Sequence, residues 1–422
     1  MPASRISDST RICVLAALAF GALYSPKGFA AADAGRPAVL VNPYVQGRGT
    51  VTTIQEAIDM VDAGGTVMVL PGTYVEALVI SKGLTLESVG GESGPVIVAP
   101  PSGSVVAIEV TAVSPVTIRG IRIEHSGLHG IRGTGAVDLV VEQSSVVGAL
   151  GSRGVIASND ALQSGSRARL VVRDSEFDLL QRPLTPDGAP QIQNFGIDAV
   201  GDIDALIERN VIRRTGGACI FIRTLNTFAG ETNADIVGND LDECYPLGRA
   251  GSVLVGPVGM LRPTSPVTAT GTINIIGNVI RNSFGSCRVA AGINFEMYGG
   301  RIEHNVIVDV VPECATPSVR NLQAGIWVGS LLSHRGPVAL PPATPVIRFN
   351  DIAGNAHAGL RVSPDQLVPV QATCNWWGAA SGPSGIGPGS GDAVLGAAIF
   401  TPWAMVPIAG SDQTLCSEIP EE

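Results

Sequence analysis

Lysine is almost missing from this chain: beyond the first thirty residues, Lys82 stands alone. Charge is scarce altogether, at 15% of residues, and the balance is a net −10. This excludes the basic surface that nucleic acid or an anionic membrane would need. The cations are arginines, whose planar guanidinium suits paired contact with carboxylates. Aromatics make up only 5%. Past the N-terminus no apolar run approaches the ~20 residues of a membrane span, so no membrane insertion is expected. Phosphate loops, heptads and nucleophile elbows are also lacking.

What is present begins with an export pattern. Arg5 and Arg11 precede an apolar stretch at 12–24, and Phe29-Ala30-Ala31-Ala32 offers small residues for cleavage. Residues 1–32 read as a signal peptide and 33–50 as a linker, so the mature chain is expected to be secreted or periplasmic. Six of the seven cysteines survive that cleavage, an even number in a compartment that permits disulfides.

Six times an asparagine closes a short apolar run and another hydrophobic stretch follows. The runs are LIERNVI (206–212), DIVGNDL (235–241), NIIGNVI (274–280), RIEHNVI (301–307), VIRFNDI (346–352) and QATCNWW (371–377). A second signature, Gly followed by apolar, any, apolar, recurs at Gly196, Gly292, Gly325 and Gly359. A degenerate strand–corner–strand repeat marks a solenoid, in which each turn rests on its neighbours. In earlier, weaker turns Ile121, Ser144 and Ser175 fall at the asparagine position. Asparagine suits such corners because it tolerates left-handed backbone and its amides can stack. The register also suggests cysteine partners on adjacent turns about 4.8 Å apart: Cys219–Cys244 and Cys287–Cys314. Cys374–Cys416 remains, as a staple for the tail.

Ahead of the repeats, Thr53 and Glu56 form a capping box, and Ile54, Ala57, Ile58 and Val61 give one apolar helical face. The stretch 53–88 resembles the opening of right-handed parallel β-helix proteins of the pectin lyase-like superfamily. The asparagine-ended runs resemble that superfamily's repeat. Cys374-Asn375-Trp376-Trp377-Gly378, with Thr401-Pro402-Trp403, is similar to the tails of exported bacterial members. The resemblance implies an all-β, right-handed parallel β-helix over 51–373, with a short capping helix and a C-terminal cap at 374–422. It specifies no single activity, since lyases, hydrolases, esterases, epimerases and non-enzymatic adhesins share the fold.

Strand alternation then places side chains. One outward column should hold Arg132, Ile156, Asp198, Phe221, Leu254, Asn294, Trp327 and Arg361. The next should hold Thr134, Ser158, Val200, Arg223, Gly256, Glu296, Gly329 and Ser363. Such a face suits an elongated glycan, because aromatic rings stack on sugars and arginines pair with uronates. Phe221, Asn294, Trp327 and Arg361 are the candidate substrate contacts, and Asp198, Arg223 and Glu296 the candidate catalytic groups. A lyase of this superfamily would use Ca²⁺ and a basic residue; a hydrolase would use two carboxylates. No metal site is expected from histidine, although His125 and His129 flank one turn. The expectation is a monomer that binds or degrades an extracellular polysaccharide or surface glycan. The alternative is a non-catalytic adhesin-like or envelope scaffold.

Overall fold

The computed structural model describes residues 36–44, 50–89, 96–125, 127–148, 151, 153–159, 166–180, 194–224, 230–244, 251–256, 267–285, 289–312, 322–329 and 340–409. All lie in one compact unit that begins at Arg36. The signal segment, Cys287, Cys314 and Cys416 fall outside these residues.

Three long sheets of 14, 10 and 12 strands run the length of the described chain. The middle of the molecule shows how they are wound. Ile203–Glu208 lies in the first sheet, Val211–Thr215 in the second and Ile220–Arg223 in the third. Thr232–Val237 then returns to the first and pairs in parallel with Ile203–Glu208. Three strands per turn, each stacked on its equivalent in the next turn, make a right-handed parallel β-helix. Period-two alternation sends every second side chain inward. Ile207, Ile236, Ile275, Ile302 and Ile347 therefore stack in one interior column, none with exposed surface. A fully buried side chain of this size contributes about 1.5–3 kcal/mol.

The asparagines sit where the first sheet turns into the second. Each Nδ2 donates to the next Oδ1, from Asn210 to Asn239 (3.0 Å), Asn278 (2.9 Å), Asn305 (3.0 Å), Asn350 (2.9 Å) and Asn375 (2.9 Å). Ser175 and Ser144 continue the ladder with their hydroxyls, ending at the backbone of Ile121. The left-handed residue, however, is the one before each asparagine: Arg209, His304, Phe349 and Cys374 have φ of 51–57°, and Gly238 and Gly277 reach 63° and 66°. Asparagine is needed for its amide, which satisfies buried backbone, rather than for tolerance of the turn.

The solenoid extends beyond both expected boundaries. Ala38–Val41, inside the segment read as a linker, pairs with Thr66–Val69. At the far end Ala398–Ile399 pairs with Val370–Gln371, so the expected cap contributes strands of its own. The N-terminal helix spans Ile54–Met60 behind Thr53. Glu76 supplies the second half of its N-cap by accepting from the Ile54 and Gln55 amides (2.8 and 2.9 Å). Gln55 in turn pairs its amide with both backbone groups of Val79, closing the open edge of the third sheet. Asp351 ties down the C-terminal segment by accepting from Ile408 and Ala409.

The Cys219–Cys244 disulfide is formed, with Cα atoms 5.7 Å apart and a sequence separation of 25. A cross-link closing a loop of this length is worth about 3 kcal/mol. Urea unfolding of Cys219→Ser/Cys244→Ser should show that loss.

Candidate active site

On the third sheet the first expected outward column pairs throughout, and the second pairs from Thr134 through Ser158 and Val200 to Arg223. Register runs Arg132–Ile156–Asp198–Phe221–Leu254–Asn294–Trp327–Arg361 without a slip, and the column begins earlier, at Val79 and Glu109. A third column, missed from sequence, holds His129, Arg153 and Phe195. It arises because both Gly196 and Ile197 face inward, which sets Phe195 outward.

The face is not evenly open. Ile156, Asp198, Phe221, Leu254, Asn294 and Trp327 are all buried. Three expected substrate contacts, Phe221, Asn294 and Trp327, therefore do not face solvent. Alternation gives the side of a strand, not what lies over it. Arg361 stacks on the Trp327 ring at 5.0 Å, and burial lowers its pKa. Val79, Glu109, Arg132, His129 and Arg153 keep exposed surface before Asp198, as do Arg223 and Arg361 beyond it.

Asp198 has no exposed surface and is clasped from both sides. Arg153 Nε donates to Oδ2 (2.9 Å), while Arg223 donates from Nε to Oδ1 (2.9 Å) and from Nη2 to Oδ2 (3.0 Å). Arg153 also lies over the Phe195 ring at 4.7 Å and Arg223 over Phe221 at 5.2 Å, with the two rings 5.4 Å apart. Packing and charge together hold these guanidiniums still. Glu296 does not join them. It shares a rung with Asn294, three spacings from Asp198 and thus about 14 Å along the axis. A hydrolytic carboxylate pair needs at most about 9.5 Å. With both Asp198 oxygens occupied by arginine, and no group of three His, Cys, Asp or Glu converging among the described residues, a Ca²⁺ ligand set is not assembled there either.

His129 is the residue that sequence reasoning undervalued. It stands in register with Arg153 and three positions before Arg132 on the same strand. Its Nδ1 is buried without a hydrogen bond. Burial, followed by the charges of Arg153 and Arg132, pushes its pKa from 6.5 down to about 4, with Asp198 opposing and His125 adding to the depression. The imidazole is therefore neutral at any ordinary pH. Because the folded pKa lies below that of the unfolded chain, the unfolded state binds more protons between the two values. The associated stability is complete above pH 6.5 and is lost as the pH falls through about 4. Partial exposure limits the effect to about 1–3 kcal/mol. Denaturation midpoints between pH 7 and 4 should fall less in His129→Gln than in the parent chain.

No protein-family model and no curated protein sequence matches the chain. Solved structures do share its winding. The A-module of a mannuronan C-5 epimerase from Azotobacter vinelandii is 16% identical, over 82% of this chain and 92% of that one, with a TM-score of 0.44. An alginate lyase from Paenibacillus is 15% identical over 76% and 96%, TM-score 0.35. A family 6 polysaccharide lyase from Pseudopedobacter saltans is 12% identical over 82% and 90%, TM-score 0.31. At these scores the likeness assigns no chemistry to this chain.

Proposed function

We propose that this protein binds an extracellular polysaccharide carrying carboxylates on the outward face of its third sheet and cleaves it by β-elimination. The observation that carries this reading is the place of His129, in register with Arg153 and on the same strand as Arg132, where burial and those two charges favour its neutral form. A guanidinium paired with a uronate carboxylate stabilises the negative charge that develops when the neighbouring C5 proton leaves. His129 Nε2 takes that proton. The electron pair forms the C4–C5 double bond, the C4–oxygen bond breaks, and the departing oxygen takes up a proton from water, to which His129 afterwards returns the proton it removed. The substrate's own charge helps, because it offsets the arginines and raises the basicity of His129 at the moment of reaction. Asp198 holds Arg153 and Arg223 rather than acting as an acid. Hydrolysis is less well supported, since Asp198 and Glu296 stand too far apart.

The leader pattern and the Cys219–Cys244 bond support a secreted or periplasmic location. A non-catalytic scaffold is the second reading, favoured by the burial of the face from Ile156 to Trp327. Incubating the folded mature protein with uronate-bearing and neutral polysaccharides separates the two. Ultraviolet absorbance from unsaturated ends should appear with the uronate-bearing polymers alone. Silence across such a panel supports the scaffold.

A further inference from the structure

Resting on the elimination reading, we propose that His125 is a positioning residue, whose imidazole shapes the turn that aims His129 and, one rung on, Arg153. His125 follows the second-sheet strand Ile121–Glu124, and His129 opens the third-sheet strand His129–Thr134. The short stretch between them carries the chain round a corner and delivers the base. A side chain closes that corner. His125 is buried, and its Nδ1 accepts from the Gly127 nitrogen at 3.1 Å. Asparagine and aspartate close turns in this way, by bonding to backbone two residues on. Burial lowers the pKa of His125, which keeps Nδ1 free to accept at neutral pH. The ring also lies hard against Gly127, where a Cβ would stand 2.3 Å from Cε1 and 2.7 Å from Nε2.

The turn then holds the site. Leu128 and His129 both donate their backbone N–H to Val105 O, at 3.1 and 2.9 Å. Gly127 O accepts from Gly151 N (2.6 Å), and Leu128 O accepts from Arg153 N (3.0 Å). The backbone that carries Arg153 is thus hung from the turn that His125 closes, and Arg153 pairs in register with His129. A shift at Gly127 would move the base and the guanidinium beside it together. The role asks for no contact between His125 and substrate.

The test compares His125→Asn, whose Oδ1 can take the place of Nδ1, with His125→Leu, which fills similar space but accepts nothing. For each, kcat is measured on uronate-bearing polysaccharides, and the proton titration of His129 is followed by nuclear magnetic resonance. Leucine should lose about 10- to 100-fold in kcat, the penalty of misplacing a reacting group by up to about 1 Å, while asparagine stays within about threefold of the parent. His129 should titrate at about 4 in the parent, stay close to that value with asparagine and move towards 6.5 with leucine, as its arginines no longer bear on it together. If leucine prevents folding, His125→Gln, whose oxygen sits one bond further out, takes its place in the comparison. A leucine variant that matches the parent in both rate and titration would overturn the inference and leave the elimination reading standing. Equal losses with leucine and asparagine would overturn the role given to the Gly127 bond. A parent chain inactive on every uronate-bearing polymer, though folded by circular dichroism, would sink the elimination reading and this inference with it.

Discussion

Replacing His129 with glutamine should cut turnover of a uronate-bearing polysaccharide by about two to four orders of magnitude, the range in which a positioned general base contributes. Glutamine fills much of the same space and can hydrogen-bond, but it cannot accept a proton from carbon. Above neutral pH the variant should keep the parent's unfolding midpoint within a degree or two, because His129 is uncharged there in both states. Substrate affinity should change little, since Arg132 and Arg153 remain in place. On the elimination reading, activity of the parent chain should rise with pH through the acid range and level off before neutrality, as the imidazole is already free of its proton. Steady-state rates and thermal melts of both proteins between pH 4 and 8 check each statement.

The largest loss of stability is expected from Asn278→Ala. Asn278 is fully buried at the centre of the ladder. Its Nδ2 donates to Ile236 O (2.8 Å), Ile276 O (3.2 Å) and Asn305 Oδ1 (3.0 Å). Its Oδ1 accepts from both the backbone nitrogen and Nδ2 of Asn239 (2.9 Å each). Alanine would strand these partners away from water, and each orphaned buried group costs about 1–3 kcal/mol. Partial relaxation brings the expected total to about 3–5 kcal/mol, at the upper end for a single substitution. Aspartate should do nearly as badly, because it cannot donate along the ladder and brings a buried charge. Urea titration of the two variants beside Asn210→Ala, which lies near the serine end, would show whether the cost peaks in mid-ladder.

The fold was legible because its determinants repeat. The spacing of Asn210, Asn239, Asn278, Asn305, Asn350 and Asn375 fixes the register of whole turns, and even the substitutes Ser144 and Ser175 could be placed by alignment with them. The outward columns followed from the same register. What lay out of reach was anything set by a single contact across turns. The left-handed corner residue precedes the asparagine, and nothing about Arg209 or Phe349 advertises a positive φ. Glu76 caps a helix more than twenty residues earlier in the chain. Asp198 looked like an exposed acid because alternation does not reveal the two arginines closing over it. The surroundings of His129 are set by Arg153 one turn away and Arg132 three residues on. The outward position of His129 and Arg153 before the glycine signature was the one available hint.

The most direct measurement is a proton titration of His129 by nuclear magnetic resonance, with and without a short uronate-bearing oligosaccharide. The free protein should show an imidazole that stays neutral down to about pH 4. Binding of the carboxylate beside Arg132 and Arg153 should raise that value, and Arg153→Gln should abolish the response to ligand. A His129 that titrates near the ordinary 6.5, or one indifferent to a saturating uronate, would contradict the site described above.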